Sequence, residues 1–81
     1  MEKRIAVVGI VVEDLDNTSI VNNILHSFSD IIVGRLGIPY RERNISVISI
    51  IVDGTSDEIS SMTGKLGRIN GVTVKTAITK K

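Results

Sequence analysis

Thr55-Ser-Asp-Glu-Ile-Ser-Ser-Met-Thr-Gly-Lys-Leu-Gly-Arg-Ile-Asn-Gly-Val-Thr-Val-Lys-Thr76 holds a helix start, a helix exit and a strand in one run. Thr55 with Glu58 three residues later makes a capping box, in which each residue satisfies an orphan N–H of the other. Ile59, Met62 and Leu66 then repeat at helical spacing, whereas Val72, Val74 and Thr76 alternate at spacing two. The period changes across Asn70-Gly71, a turn dipeptide, so a helix passes its apolar stripe to a strand there.

Working outward, Ile5 to Val12 is rich in Val and Ile and reads as the first strand. Asp14 or Asp16 caps a helix from Leu15 to Phe28, with Val21, Ile24, Leu25 and Phe28 on its buried stripe. A second extended stretch, Ile31 to Ile38, contains Gly34 and Gly37, where a bulge or a close backbone approach is expected. Pro39 ends it, and Tyr40 to Asn44 forms a loop. Ile45 to Val52 is the third strand, closed by Asp53-Gly54, and Gly71 to Ile78 is the last. The order β-α-β-β-α-β over residues 1–81 specifies one α+β domain with a ferredoxin-like fold, a four-stranded antiparallel sheet with both helices on one face. A parallel α/β sheet needs helices on both faces, which a chain of 81 residues hardly supplies.

Such a chain buries only about 60% of the surface that its unfolded form exposes. It has no cysteine and one histidine, so neither disulfides nor a zinc cluster adds to a small core, and oligomerisation is the remaining common remedy. The strands point the same way. Ile5, Val7 and Val11 share one face of the first strand and Ala6, Val8, Ile10 and Val12 the other; Val47 and Ile51 oppose Ile48, Ile50 and Val52 in the third. Two helices cover one face only. The expected answer is a homo-oligomer, a dimer or tetramer, packed sheet on sheet. Ten Lys and Arg against nine Asp and Glu leave a net charge of +1, which offers no field for nucleic acid or for an anionic membrane. The basic Met1 to Arg4 and apolar Ile5 to Val12 mimic a secretory signal, but Glu13 and Asp14 follow at once with no cleavage site, so a cytoplasmic location is expected.

Gly64-Lys-Leu-Gly67 matches the GXXG loop of KH domains, yet no helix follows it, and Phe28 and Tyr40 are the chain's only aromatics for stacking bases. It also fails as a phosphate loop, since Leu66 stands where Ser or Thr is required. The preferred reading is structural: the two glycines let the helix end approach other backbone and stop. His26, one position off the helix stripe, is a weak metal candidate, because imidazole suits zinc, copper or nickel only if copies gather in an oligomer. No cofactor is expected. Nor is an enzyme, for there is no His and Cys pair and no G-x-S-x-G, and Glu13, Asp14 and Asp16 serve better as caps at a helix N-terminus than as an acid and base pair.

Five stretches in order, Val11-Val-Glu-Asp14, Leu25-His-Ser-Phe-Ser29, Gly37-Ile-Pro-Tyr-Arg-Glu42, Gly64-Lys-Leu-Gly67 and Gly71-Val-Thr-Val-Lys-Thr76, resemble the iron-only hydrogenase system regulator family. That resemblance implies an ACT-like regulatory domain, related in fold to the sensing domain of the nickel-responsive regulator, with a role in the maturation or expression of an iron-only hydrogenase. The nickel-binding histidines and cysteine of that sensor are absent here. The acylphosphatases share the fold, but they place an anion-cradling loop with an arginine where this chain has Glu13-Asp14-Leu15-Asp16. By resemblance, a small effector is expected at a subunit interface near Glu13, Asp14 and Asn17, with Arg35 from the second strand. The alternative is a protein-interaction adaptor without a small ligand, using Pro39, Tyr40, Arg41 and Glu42 as a partner loop, or a free sheet edge. The chain carries no DNA-reading motif of its own, so any transcriptional role would run through a partner.

Overall fold

A computed structural model of the chain describes residues 2–79. In it β1 (Lys3–Val12), α1 (Thr18–Ser27), β2 (Ile32–Tyr40), β3 (Ile45–Thr55), α2 (Ser56–Gly67) and β4 (Val72–Ile78) follow in order. Three 3-10 turns, Leu15–Asn17, Ser29–Ile31 and Arg41–Arg43, precede α1, precede β2 and join β2 to β3. The strands form one antiparallel sheet in the order β2-β3-β1-β4, the ferredoxin-like arrangement that the sequence specifies.

The alternation in β1 decides which face is core. Ala6, Val8, Ile10 and Val12 are fully buried, and register sets them against Val52, Ile50, Ile48 and Ser46 of β3. Val21 and Leu25 of α1 and Ile59, Met62 and Leu66 of α2 complete that cluster, so both helices lie on the same side of the sheet. Each fully buried Ile or Leu contributes about 1.5–3 kcal/mol relative to exposure, which makes this face the main source of stability.

The helix ends follow from local hydrogen bonds. Thr55 Oγ1 accepts from the Glu58 N–H at 3.2 Å and Glu58 Oε1 accepts from the Thr55 N–H at 2.9 Å, closing the capping box. The first helix is split where one continuous helix was expected. Asp14 Oδ1 accepts from the Asp16 N–H at 3.1 Å and starts a 3-10 turn, and the α-helix proper begins at Thr18, whose hydroxyl donates to the Leu15 carbonyl at 2.8 Å.

Three glycine and proline readings need correction. Pro39 does not end β2, which runs on to Tyr40; β2 has a neighbour on one side only, and an edge strand tolerates a residue with no N–H to donate. Asp53-Gly54 does not close β3, because β1 begins early enough to pair Arg4 with Gly54 and Lys3 with Thr55. Gly54 is instead a close-approach position, where a Cβ would lie 3.2 Å from Ile31 Cγ2 and 3.3 Å from Glu58 Oε1. Gly64 and Gly67 sit within α2 with open space where a Cβ would go, so no backbone approach explains them. The register shift between Ile32 and Gly34 is the bulge expected in the second strand.

Removing the cap in Thr55→Ala should cost about 1 kcal/mol, or a melting temperature lower by roughly 4–8 °C. The Thr55 backbone N–H, then its hydroxyl, hold the Glu58 carboxyl below the ordinary glutamate range. The stabilisation from the charged form is therefore complete above the unfolded pKa and is lost as pH falls through the lowered folded value. Acid unfolding followed by circular dichroism should show this low-pH loss in the parent and its absence in Glu58→Gln.

Candidate functional site

The end of β1 is fastened to the start of β4. The Gly71 carbonyl accepts from the Glu13 N–H at 2.6 Å and, more weakly, from the Asp14 N–H at 3.4 Å, while Asn17 Nδ2 donates to the Asn70 carbonyl at 2.6 Å. Gly71 has φ +74°, and a Cβ on it would lie 2.8 Å from Asp14 Cβ, so only glycine fits both the turn and the contact. Asp14 and Asn17, two of the residues expected by resemblance near an effector, thus build a latch between two junctions. Glu13 engages it through its backbone alone, and its side chain is free to face elsewhere.

That side chain lines a groove of about 710 Å³ at the end of the sheet. Val11, Ile45 and Val47 make its apolar floor, and Glu13, Tyr40, Arg43 and Asn44 its polar rim. Register explains the assembly: Val11 pairs with Val47 and Tyr40 with Ile45, so the end of β1, the end of β2 and the start of β3 converge. The turn is held by the Asn44 N–H donating to the Arg41 carbonyl at 3.1 Å, with Asn44 at φ 55°, a conformation asparagine tolerates. Glu13 and Tyr40, assigned by sequence to separate sites, belong to one groove. Pro39, Arg41 and Glu42 are exposed beside it without lining it. Sequence reasoning did not assemble this groove, because the signal is a strand register rather than a motif.

Arg35 lies elsewhere. It stands opposite Ile50 of β3 on the helix side of the sheet and donates to Asn22 Oδ1 of α1 at 2.5 Å. It lines a second groove, of about 510 Å³, together with His26. The four residues proposed for one effector site are therefore divided between two places. Among the described residues no group of three or more His, Cys, Asp or Glu is placed to hold a metal ion, and the arginine beside His26 disfavours a cation there. Among the described residues, no helix is long and apolar enough to cross a membrane.

The remaining face of the sheet is open. Ile5, Val7, Leu36, Ile38 and Ile51 are 41–61% exposed, and pairing of Val7 with Ile51 and of Ile38 with Val47 makes them neighbours on one surface that runs into the first groove.

The family model "TM1266-like: Iron-only hydrogenase system regulator, putative" matches residues 4–76. The structure of uncharacterized protein TM1266 from Thermotoga maritima is 44% identical, with 98% of this chain and 100% of that one covered, at a TM-score of 0.92. Two further structures are similar in fold alone. The C-terminal domain of MgtC from Mycobacterium tuberculosis is 14% identical over 95% of this chain and 88% of that one, TM-score 0.68. CPII, a nitrogen regulatory PII-like protein from Thiomonas intermedia K12 bound to ADP, AMP and bicarbonate, is 11% identical over 96% and 92%, TM-score 0.52. No curated protein matches the chain.

Gly71→Ala should break the latch. Left-handed backbone and the forced movement of Asp14 together cost about 2 kcal/mol or more. Urea unfolding at matched protein concentration should show this loss, against about 1 kcal/mol for Asn17→Ala, which removes one hydrogen bond.

Proposed function

The chain belongs to the TM1266-like iron-only hydrogenase system regulator family, and from that premise we propose that it works as an oligomeric regulatory domain that binds a small effector between subunits. The observation that carries this reading is the open apolar face. A contiguous surface of Ile5, Val7, Leu36, Ile38 and Ile51 is larger than scattered exposed side chains, and no described segment crosses it. A second copy of the same face is the favoured occupant. Register puts Lys3, opposite Thr55, Asp53, opposite Ile5, and Lys75, opposite Gly9, on this face, so both signs of charge are present for a two-fold pairing to match. Sheet-on-sheet packing at about 10 Å would bury these residues and add the core that a chain of this size lacks.

The groove at the margin of that face is the effector site in this reading. A second copy would roof it, which strengthens its polar contacts by excluding water. Glu13 and Arg43 present opposite charges over an apolar floor, a combination suited to a small ligand that carries both polar and apolar parts. Asp14 and Asn17 act indirectly, by holding the strand end that carries Glu13. The PII-like neighbour holds small ligands on the same fold, which makes the fold compatible with this role and says nothing about the ligand. Regulation would then be the coupling of ligand occupancy to the assembly.

Light scattering of the parent should give at least a dimer mass. Val7→Glu and Ile51→Glu, which place charges on directly paired positions of the open face, should each give a monomer. Thermal melts against amino acids and nucleotides should identify a ligand; at about 100 times its dissociation constant it adds roughly 2.7 kcal/mol per site. Glu13→Gln and Arg43→Gln should lose that response and keep the parent mass. A stable oligomer with a flat ligand panel would favour a protein-interaction adaptor using Pro39 to Arg43. A monomeric parent would overturn the interface.

A further inference from the structure

The second groove has a chemistry different from the first. Its polar lining consists of Asn22, Asn23, His26, Ser29 and Arg35, every one of which carries a hydrogen-bond donor. Among the described residues no carboxylate lines it, although the chain has nine Asp and Glu. Asn22 and His26 are four residues apart on α1 and so present one helix face. Arg35 approaches that face from β2, and Ser29 from the turn between them.

One hydrogen bond orders the set. Asn22 Oδ1 is occupied by the Arg35 guanidinium, which turns the Asn22 amide N–H groups away from Arg35 and leaves most of the five guanidinium donors unspent on Asn22. The guanidinium is thereby held on a short tether, and a planar fork held in place suits two oxygens of one anionic group. Ile32, partly buried, supplies an apolar wall above the core residue Leu25. The α1 C-terminal dipole opposes an anion off the helix end, but the donors lie along the helix flank, and the last-turn carbonyls of Leu25 and His26 already accept from the Phe28 N–H.

We propose that this groove is an oxyanion site that takes the carboxylate or phosphate of a small organic acid, with the acid's apolar body against Ile32. The head group sits between Arg35 and His26 and receives donors from Asn22, Asn23 and Ser29. The site lies on the helix side of the sheet, opposite the open face, so it is accessible whether or not a second copy packs there. It therefore stands or falls independently of the assembly and of the effector groove beside Glu13.

Titration of the full, isotope-labelled chain with sulfate, benzoate and phenyl phosphate in about 150 mM sodium chloride, where long-range charge effects are largely screened, tests this by NMR. The expected result is saturable shifts at the Asn22, Asn23 and His26 amides and at Arg35 Nε. Phenyl phosphate or benzoate should bind roughly tenfold tighter than sulfate through the apolar wall. Whichever of the two binds tighter identifies the head group. Arg35→Gln should weaken binding at least tenfold, Arg35→Lys should restore part of it, and Asn23→Asp should abolish it by adding a carboxylate to the lining. Both positions are exposed, so melting temperatures within a few degrees of the parent check the fold. Shifts confined to other surfaces, no saturable shift with any of the three anions, or affinities within twofold of the parent in both Arg35→Gln and Asn23→Asp would overturn the site.

Discussion

A strand that is apolar on both faces and paired on both edges controls this molecule. β1 lies between β3 and β4, and its ladder with β3 runs from Lys3 to Val12. Its even positions nucleate the core against both helices, and its odd positions make the open face. A slip of one residue would exchange the two sets, yet both are apolar, so the hydrophobic pattern of β1 alone does not pin the register. The pinning comes from its ends. At the far end the Glu13 N–H is captured by the Gly71 carbonyl, and at the near end Thr79 continues the β4 side, its N–H donating to the Ile5 carbonyl at 2.9 Å.

This division of labour explains where the two grooves lie. The first forms where β1 stops on the open side, beside the turn that returns β2 into β3. The second forms on the helical side, where α1 leaves the edge strand only partly covered. One has a carboxylate and a guanidinium in its rim, and the other has donors without a carboxylate. The two sides of one sheet therefore carry grooves of different chemistry.

Much of the fold was legible because its signals are local. The Thr55 and Glu58 pair announced α2, the change of period across Asn70-Gly71 announced β4, and the Val- and Ile-rich runs announced β1 and β3. What escaped depended on partners distant in sequence. Pro39 reads as a stop until β2 is known to be an edge, and Gly54 reads as a turn until Ile31 and Glu58 are seen crowding it. The placing of Arg35 away from Glu13 has the same origin, since spacing along the chain does not reveal which face of the sheet a strand residue joins. Asp14 was legible as a helix cap and Asn17 only as an effector candidate by resemblance, and their tie to Asn70 and Gly71 spans more than fifty residues.

The two irregularities of β2 also bear on edge-to-edge growth of the sheet. A bulge at Ile32 to Gly34 twists the strand, and Pro39 removes an N–H near its other end, so this margin presents a broken row of donors and acceptors. Edge-to-edge growth of a sheet requires an unbroken row on each joining margin. With this margin broken, growth of the sheet through β2 into a fibril is disfavoured.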